Sequence, residues 1–287
     1  MKIGFIGTGV MGSGIIHNLL KNGHDVAVFT RTKSKADPLL EEGAQWASSP
    51  AELTQQVETV ITMVGFPQDV EEVYFGDHGI FSTVTSGQIL IDMTTSSPIL
   101  AEKIGKKADE LAVMALDAPV SGGDIGAQNA TLTIMVGGNQ TAFETMKPIF
   151  GQIGHATNYF GTYGAGQNAK MANQIMIAGT MTGLTEMLVY AKAAQLDLKT
   201  VLETLSNGGA SNWSMENYVP RILKNDYTPG FFAKHFLKDL KIALDQAKQM
   251  QVDLPATRLA TQLYDNLVNQ QGLGDDGTQA LIKLWWK

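Results

Sequence analysis

The sequence contains no cysteine among its 287 residues. This absence excludes disulfide scaffolds, thiolate nucleophiles and zinc sites with cysteine ligands, and it is compatible with a cytoplasmic address. Positive charge is also scarce, because 21 Lys and Arg stand against 28 Asp and Glu, for a formal net charge of −7. A chain of this sign opposes a broad grip on phosphate backbones, so we expect no nucleic-acid partner.

Long hydrophobic runs are missing as well. Residues 1–20 are mostly apolar, but five glycines interrupt the apolar helical core that a signal peptide needs. Residues 175–191 are apolar too, yet they fall short of the roughly 20 residues that cross a bilayer and they contain Glu186. We therefore expect no membrane partner, and a helix buried in protein for the second segment.

Two common catalytic patterns are absent. The five histidines include no pair spaced three or four residues apart, so the sequence predicts no helical zinc site and no metal cofactor. There is also no Gly-x-Ser-x-Gly segment, which leaves no recognisable serine hydrolase.

The first half of the chain alternates short β-rich runs with helix-compatible stretches. The runs are rich in Val and Ile and cover residues 2–6, 25–30, 58–64, 88–93 and 113–117. This βαβ series predicts a doubly wound, mostly parallel sheet with helices on both faces. A further run at 131–138 alternates as an edge or antiparallel strand does.

After about residue 163 the pattern contains no convincing strand, only helix-compatible stretches punctuated by Gly and Pro. The sequence therefore predicts two domains, an α/β domain over 1–163 and an all-α domain over 164–287. A long helix over about 167–195 joins them.

A Gly-x-Gly-x-x-Gly motif occupies residues 7–12, where Gly7, Gly9 and Gly12 follow the first β run and open a helix. With 30 glycines in the chain, the pattern alone is expected by chance about 0.3 times, so its context decides. The free amides of such a helix start, including Val10 and Met11, suit a pyrophosphate and indicate a Rossmann-type dinucleotide domain. The alternative is an ordinary glycine turn, which is our interpretation of a second copy at residues 272–277 that follows a helical stretch and contains two aspartates.

The segment after the second β run indicates which dinucleotide is bound. An NAD site usually has an acid about 20 residues after the glycine motif, but residues 29–35 contain none. Arg31, Thr32 and Lys35 instead suit the 2′-phosphate of NADP(H), with NAD(H) as the second cofactor. The alternative is that these residues are simply solvated at the start of a helix.

Four ordered blocks carry a resemblance over the full chain. They are GFIGTGVMG at 4–12, DAPVSGGDIGA at 117–127, GAGQNAKMANQ at 164–174 and KDL at 238–240. With these blocks the sequence resembles the β-hydroxyacid dehydrogenase family, which includes 3-hydroxyisobutyrate dehydrogenase and several semialdehyde reductases.

The resemblance implies that Ser121, Gly122 and Gly123 hold the substrate carboxylate. Their backbone N–H groups and the Ser121 hydroxyl can converge on an anion, whereas the alternative is a plain glycine turn. Nearby the chain departs from the family, because Ala130 stands where relatives usually have glycine.

The resemblance also places the family's catalytic lysine at Lys170. Asn173 and Gln174 follow three and four residues later and share its helix face, so their amides are expected to orient its ammonium. The family often has Asn at the position of Gln174. The alternative for Lys170 is an ordinary surface lysine.

Three further residues are assigned by the resemblance, and a fourth by its place after a β run. Thr95 hydrogen-bonds the cofactor and Lys238 lies near its nicotinamide end, while Phe231 contributes to the pocket wall. Val64 follows the third β run, where open α/β sheets bind ligands, and indicates an adenosine-side loop. The alternatives are a helix cap for Thr95, an exposed charge pair for Lys238 and a core aromatic for Phe231. Asn212 and Trp213 are candidates for the far wall that sets substrate length.

Together these observations predict hydride transfer between NADP(H) and a small hydroxy acid or semialdehyde acid, with Lys170 as general acid and base. Two alternatives remain: an NADPH-dependent imine reductase and a non-catalytic NADP-binding sensor. Lys170 counts against both. Gly179 and Gly183 lie four residues apart on the long helix and allow close helix packing, so we expect a homodimer or homotetramer.

Overall fold

The computed structural model describes residues 1–286. The chain divides into two compact units, one over Met1–Lys170 and one that begins at Met171. The predicted boundary after residue 163 lies just before the long helix α8, Ala165–Ala193, whose first residues belong to the first unit.

The first unit is built on one nine-stranded sheet. Its strands are β1 Lys2–Ile6, β2 Asp25–Phe29, β3 Gln45–Trp46, β4 Thr59–Thr62, β5 Ile89–Asp92, β6 Met114–Asp117, β7 Val120–Ser121, β8 Leu132–Gly138 and β9 Gly154–Gly161. The order is β3-β2-β1-β4-β5-β6-β8-β7, with β9 paired to β8. Strands β1 to β6 run parallel, which confirms the predicted mostly parallel α/β fold.

Helices cover both faces of this sheet. They are α1 Val10–Lys21, α2 Asp37–Glu41, α3 Pro50–Gln55, α4 Pro67–Phe75, α5 Pro98–Glu110, α6 Gly123–Gln128 and α7 Gln140–Ile153. Alternate residues of β5 enter different cores, since Ile89 and Ile91 pack in one hydrophobic cluster and Leu90 packs in the other. A strand buried on both faces has a continuous apolar sequence, as the Ile89–Ile91 run of β5 does.

Three strands were not predicted, and one was only partly described. The antiparallel orientation expected at 131–138 is present in β8, which pairs antiparallel with β6 and β7. However, β8 is not an edge strand, because β9 lies parallel along its other side. The missed β9 has a polar sequence with most residues half-buried or exposed, and β3 and β7 have two residues each.

The second unit is helical. Within it, α8 is followed by α9 Leu198–Leu205, α10 Trp213–Ile222, α11 Ala233–Gln249, α12 Pro255–Asp265, a π-helical turn at Asn266–Gln270 and a 3₁₀ segment at Thr278–Leu284. From Gly164 to residue 286 the only β pairing is an isolated bridge between Phe232 and Gly277. The prediction of an all-α second domain is therefore confirmed.

The core of this unit is organised around two aromatic side chains. Phe236 and Tyr264 are fully buried, and their rings meet edge to face with centroids 4.8 Å apart. The Tyr264 hydroxyl donates a 2.9 Å hydrogen bond to the carbonyl of Thr278, so its polar atom is satisfied inside the core. Within residues 1–286, every helix is too short or too polar to cross a membrane.

Candidate functional site

The glycine motif forms a tight loop between β1 and α1. Gly7 has a φ of +108°, and a Cβ at this position would overlap the carbonyl oxygen of Met63. A Cβ at Gly12 would overlap the carbonyl oxygen of Gly7. Both positions therefore require glycine, one for its backbone conformation and the other for the close packing of the helix on the loop.

The remaining positions of the loop leave room for a ligand. Gly9 is the N-cap of α1 and has no heavy atom within 4 Å of an added Cβ, while Val10 is 58% exposed. The Thr8 hydroxyl is buried and has no hydrogen-bond partner within residues 1–286. Free amides, open space and an unsatisfied hydroxyl fit a bound pyrophosphate.

The second glycine motif has different surroundings. Gly272, Gly274 and Gly277 lie in the helical unit, and the element directly before them is the π-helical turn and not a strand. Asp275, inside this copy, pairs with Lys234 at 2.5 Å. A carboxylate at this place opposes a phosphate, in agreement with the interpretation as a turn.

Arg31, Thr32 and Lys35 lie exposed after the end of β2. The Arg31 side chain is 82% exposed, and its Nη1 lies 2.9 Å from Oδ1 of Asp69. Asp69 belongs to the first turn of α4, where its other oxygen accepts a hydrogen bond from the Phe66 amide. Sequence reasoning missed Asp69, because it is 38 residues from Arg31 and follows a different strand.

The loops after β4 and β5 are joined by Thr94. Its hydroxyl accepts a 3.0 Å hydrogen bond from the amide of Val64, and its own amide donates to Asp92. Thr95, the next residue, is half-buried. Ser97 occupies the N-cap position of α5 and makes no side-chain hydrogen bond to the helix start.

The Ser-Gly-Gly segment forms the turn between β7 and α6. Ser121 ends the strand, and the two glycines have φ values of +134° and +64°. These left-handed conformations explain why Gly122 and Gly123 are both glycine. Ala130, where relatives usually have glycine, also has a positive φ of 56° and therefore bears the strain that glycine would avoid.

Asp117 ends β6 and is 3% exposed. Its two carboxylate oxygens accept hydrogen bonds of 2.9 and 2.8 Å from the amides of Gly164 and Gln167 at the start of α8. Burial raises the pKa of this carboxyl from 3.8 to about 7, although the amide hydrogen bonds act in the opposite direction. Asp117 opens the block at 117–127, and its sequence context indicated no role for it.

This raised pKa makes stability depend on pH. Between pH 3.8 and about 7 the folded state holds a proton on Asp117 that the unfolded chain releases, so this group reduces stability as pH rises. The Asp117→Asn variant does not titrate at this position. We expect its free energy of unfolding, relative to that of wild type, to increase by about 2–3 kcal/mol as the pH rises from 5 to 8. Urea unfolding of both proteins at each pH measures this difference, and a difference that stays constant would contradict the assignment.

Lys170 is also in the first unit, on the second turn of α8, and is only 6% exposed. Its burial excludes the interpretation as a surface lysine. The helix start that carries it packs directly on the sheet, since a Cβ at Gly166 would overlap the carbonyl oxygen of Met135. The close packing of the α8 backbone on the sheet thus fixes where Lys170 lies.

In the second unit, three of the predicted residues meet around Asp239. Asn173 Nδ2 donates to Gln174 Oε1 at 2.8 Å, and Gln174 Nε2 donates to Asp239 Oδ2 at 2.5 Å. Lys238 Nζ lies 3.0 Å from the other oxygen of Asp239, and the two side chains are only 12% and 1% exposed. The pair is therefore buried, and the interpretation of Lys238 as part of an exposed charge pair is wrong. Sequence analysis did not assign Asp239 to the site.

The remaining candidates have structural contacts of their own. Phe231 packs edge to face on Phe236 with centroids 5.6 Å apart, as a core aromatic does. Asn212 caps α10 by accepting a hydrogen bond from the Met215 amide. Trp213 is 65% exposed and lies against Tyr218. Asn212, one of the two candidates for the far wall, therefore caps the start of a helix. Within residues 1–286, no three His, Asp or Glu side chains cluster as a metal ion would require.

Two family models match the chain. The NAD binding domain of 6-phosphogluconate dehydrogenase matches residues 2–164, and the NAD-binding domain of NADP-dependent 3-hydroxyisobutyrate dehydrogenase matches residues 164–285. The two matches meet at Gly164, one residue before α8 begins.

Curated relatives match almost the whole chain. The uncharacterized oxidoreductase YkwC of Bacillus subtilis is 50% identical over 99% of both chains. The probable 3-hydroxyisobutyrate dehydrogenase-like 1, mitochondrial, of Arabidopsis thaliana is 48% identical over 98% of this chain and 84% of its own length. The 2-hydroxy-3-oxopropionate reductase of Escherichia coli is 37% identical over 95% of this chain and 93% of its own.

A solved structure shares the architecture. The 3-hydroxyisobutyrate dehydrogenase of Mycobacterium tuberculosis, solved with L-serine, has a TM-score of 0.91 and 26% identity, and the match covers 100% of this chain and 99% of that one. These matches agree with a dinucleotide-binding first unit and a helical second unit. The chain belongs to the β-hydroxyacid dehydrogenase family of NAD(P)-dependent oxidoreductases.

Proposed function

We propose that this protein transfers a hydride between NADP(H) and a small hydroxy acid or semialdehyde acid, with Lys170 as the general acid and base. One observation carries the proposal. A buried lysine lies on a helix whose start is bound to the carboxyl end of β6, in the same unit as the glycine loop. Open α/β sheets bind their ligands at this end of their strands.

The cofactor is assigned to residues at the carboxyl ends of β1, β2, β4 and β5. The amides of the Gly7–Gly12 loop bind the pyrophosphate, while Arg31, Thr32 and Lys35 bind the 2′-phosphate. Val64 and Thr95 line the remaining length of the cofactor. When bound, the nicotinamide supplies or accepts the hydride. NAD(H) is the second cofactor in this proposal.

The substrate is assigned to the Ser121–Gly123 turn, whose amides and hydroxyl bind a carboxylate. Two similar proteins are associated with small carboxylates. The E. coli relative is named a 2-hydroxy-3-oxopropionate reductase, and the M. tuberculosis protein is solved with L-serine. With the carboxylate fixed, Lys170 donates a proton to the carbonyl oxygen during reduction and removes the alcohol proton during oxidation. Asn173 and Gln174, three and four residues further along the same helix, orient its ammonium.

Turnover assays test this function. Oxidation of NADPH and NADH is followed by absorbance with glyoxylate and with succinic, methylmalonate and tartronate semialdehydes, and a cyclic imine is included as a competing substrate class. We expect turnover of at least one aldehyde acid, faster with NADPH than with NADH. Turnover of the imine alone would establish the imine reductase alternative, and tight NADPH binding without any turnover would establish a sensor.

The same proposal includes self-association in the cytoplasm, where a cysteine-free chain needs no disulfides. Exposed side chains recur along one face of α8, namely Ala172, Met176, Gly179, Gly183, Glu186 and Tyr190, and all of them except Glu186 are small or apolar. Met176 is 68% exposed and Tyr190 is 75% exposed, which is unusual for large apolar side chains on one stripe. We propose that a second copy of the chain covers this face.

Light scattering after size exclusion measures the assembly. We expect particles of two or four chains of 30.9 kDa each, and a Met176→Asp variant that shifts towards single chains because a charge on this face opposes its burial. Wild-type particles of 30.9 kDa alone would contradict self-association.

A further inference from the structure

Gln167 has a fully buried side chain that contacts the turn after β5. Its Oε1 accepts a 2.9 Å hydrogen bond from the Ser96 amide, and its Nε2 donates a 2.7 Å hydrogen bond to the carbonyl of Thr94. These two backbone groups lie on either side of Thr95. The Gln167 amide therefore binds the backbone around the residue that we assign to the cofactor.

The backbone of Gln167 is fixed as well. Its amide donates a 2.8 Å hydrogen bond to Asp117, which also accepts from Gly164. Gly166, between them, packs so closely on the sheet that a Cβ would overlap backbone oxygens of Met135 and Asp117. The first turn of α8 is thus attached to β6 and, through the Gln167 side chain, to the end of β5.

The turn after β5, which the Gln167 side chain contacts, is also held by hydrogen bonds of its own. Asp92 Oδ1 accepts hydrogen bonds from the Thr62 hydroxyl and the Thr94 amide at 2.8 and 3.1 Å, and Thr94 in turn binds the Val64 amide. All these side chains are at most 3% exposed. Buried and mutually satisfied polar groups hold one geometry, since breaking any bond leaves an unpaired group without water.

Lys170 lies three residues after Gln167 on the same helix, which is about 4.5 Å along its axis. The distance from the Thr94–Ser96 turn to the lysine is therefore set by one side chain and less than one helical turn. We propose that Gln167 is a positioning residue that fixes the Thr94–Ser96 turn, and so the cofactor at Thr95, relative to Lys170. This inference rests on the function proposed above.

Two substitutions separate positioning from other roles. Gln167→Leu fills similar space but leaves the Ser96 amide and the Thr94 carbonyl unpaired. Gln167→Glu keeps an acceptor for Ser96, and its protonated form also restores a donor for Thr94. When ionised, the same glutamate presents a negative oxygen to the Thr94 carbonyl and repels it.

The chain offers a matched control at the opposite end of the same strand. Gln88 is 8% exposed, and its amide accepts from Thr85 N and donates to the carbonyls of Thr54 and Val57. Gln88→Leu therefore removes a buried backbone-binding amide far along β5 from the proposed site. It reports what such a loss does to stability alone.

The experiment measures kcat, the Kd for NADPH and the urea unfolding of wild type and the three variants. We expect Gln167→Leu to lower kcat about tenfold with a change in NADPH Kd of less than about threefold, because misplacement affects the reaction more than binding. Gln88→Leu loses stability and keeps its kcat. The kcat of Gln167→Glu, relative to wild type, rises as pH falls from 8 to 5.

Each other outcome counts against the inference. If wild type is active but Gln167→Leu keeps its kcat, or if both leucine variants lose kcat equally, the positioning role is wrong and the proposed function stands. If the kcat of Gln167→Glu relative to wild type does not depend on pH, the hydrogen bond to Thr94 has no role in the reaction. If wild type turns over no substrate, the proposed function fails, and this inference fails with it.

Discussion

We expect the Lys170→Met variant to lose about a thousandfold in kcat while it binds NADPH with the wild-type Kd. A positioned general acid contributes about 10²–10⁴ to a rate, and within the first unit Lys170 is the buried ammonium on the proposed path of the proton. Methionine has a similar shape and no charge, so the fold tolerates it where the lysine is buried. A loss of this size therefore reflects the chemistry.

Two further measurements separate proton transfer from charge. Lys170→Arg keeps the positive charge, but guanidinium does not release its proton near neutral pH, so we expect it to be as slow as the methionine variant. A small primary amine added to Lys170→Ala restores part of the activity if the missing group is a proton donor. Lys192→Met is the matched control, because Lys192 lies exposed on the same helix with its ammonium 4.2 Å from the ring centre of Trp286.

The results that would contradict the role of Lys170 are distinct. If Lys170→Met keeps most of the wild-type kcat, another group donates the proton. If Lys170→Arg is nearly as active as wild type, the lysine acts by its charge alone. Equal losses in Lys170→Met and Lys192→Met would indicate damage to α8 and not to the reaction.

The fold was predictable where local sequence reports burial on both faces. Strands such as β5, with four buried residues, contain short apolar runs, and the helix-compatible stretches after Gly164 identified the all-α unit. The strand β9 was not predictable in this way. Its eight residues include His155, Asn158 and Gly161, and it is held by pairing along β8 and not by its own apolar pattern.

The site was predictable only in part, for a similar reason. Where the backbone requires glycine, the glycines recur at fixed spacing and can be identified from the sequence. Gly7 and Gly12 were identified in this way, and the structure needs both. The contacts that organise polar residues join positions far apart in the chain: Gln167 and Thr94 are 73 residues apart, and Gln174 and Asp239 are 65 apart. No local period encodes such pairs. The same limit applies to Asp69, whose contact with Arg31 lowers the gain expected from binding a 2′-phosphate.

Arg31 is expected to decide the preference between the two nicotinamide cofactors. We expect Arg31→Ala to raise the Kd for NADPH about 30-fold, or about 2 kcal/mol, and to leave the Kd for NADH within about twofold. The reason is that a forked guanidinium binds a 2′-phosphate with charge-assisted hydrogen bonds, and NADH has no such group. Cofactor fluorescence titrations measure both values.

The contact with Asp69 limits this effect. In the structure the Arg31 guanidinium already pairs with Asp69 at 2.9 Å, so a phosphate gains the difference between two partners. The existing pair is weak, since the arginine side chain is 82% exposed and such pairs contribute about 0–1 kcal/mol. A dianionic phosphate therefore still prevails, with a gain below that of an unpaired arginine.

The control for Arg31 is another exposed cation that pairs with an acid of α4, the helix that carries Asp69. Lys103 pairs with Glu71 of α4 at 2.6 Å, so Lys103→Ala also removes an exposed cation from an acid of that helix. We expect this variant to bind both cofactors as wild type does. If Arg31→Ala weakens NADPH and NADH equally, the arginine supports the loop and does not read the phosphate. If it weakens neither, the absence of an acid after β2 does not indicate NADP(H), and the preference must come from elsewhere in the first unit.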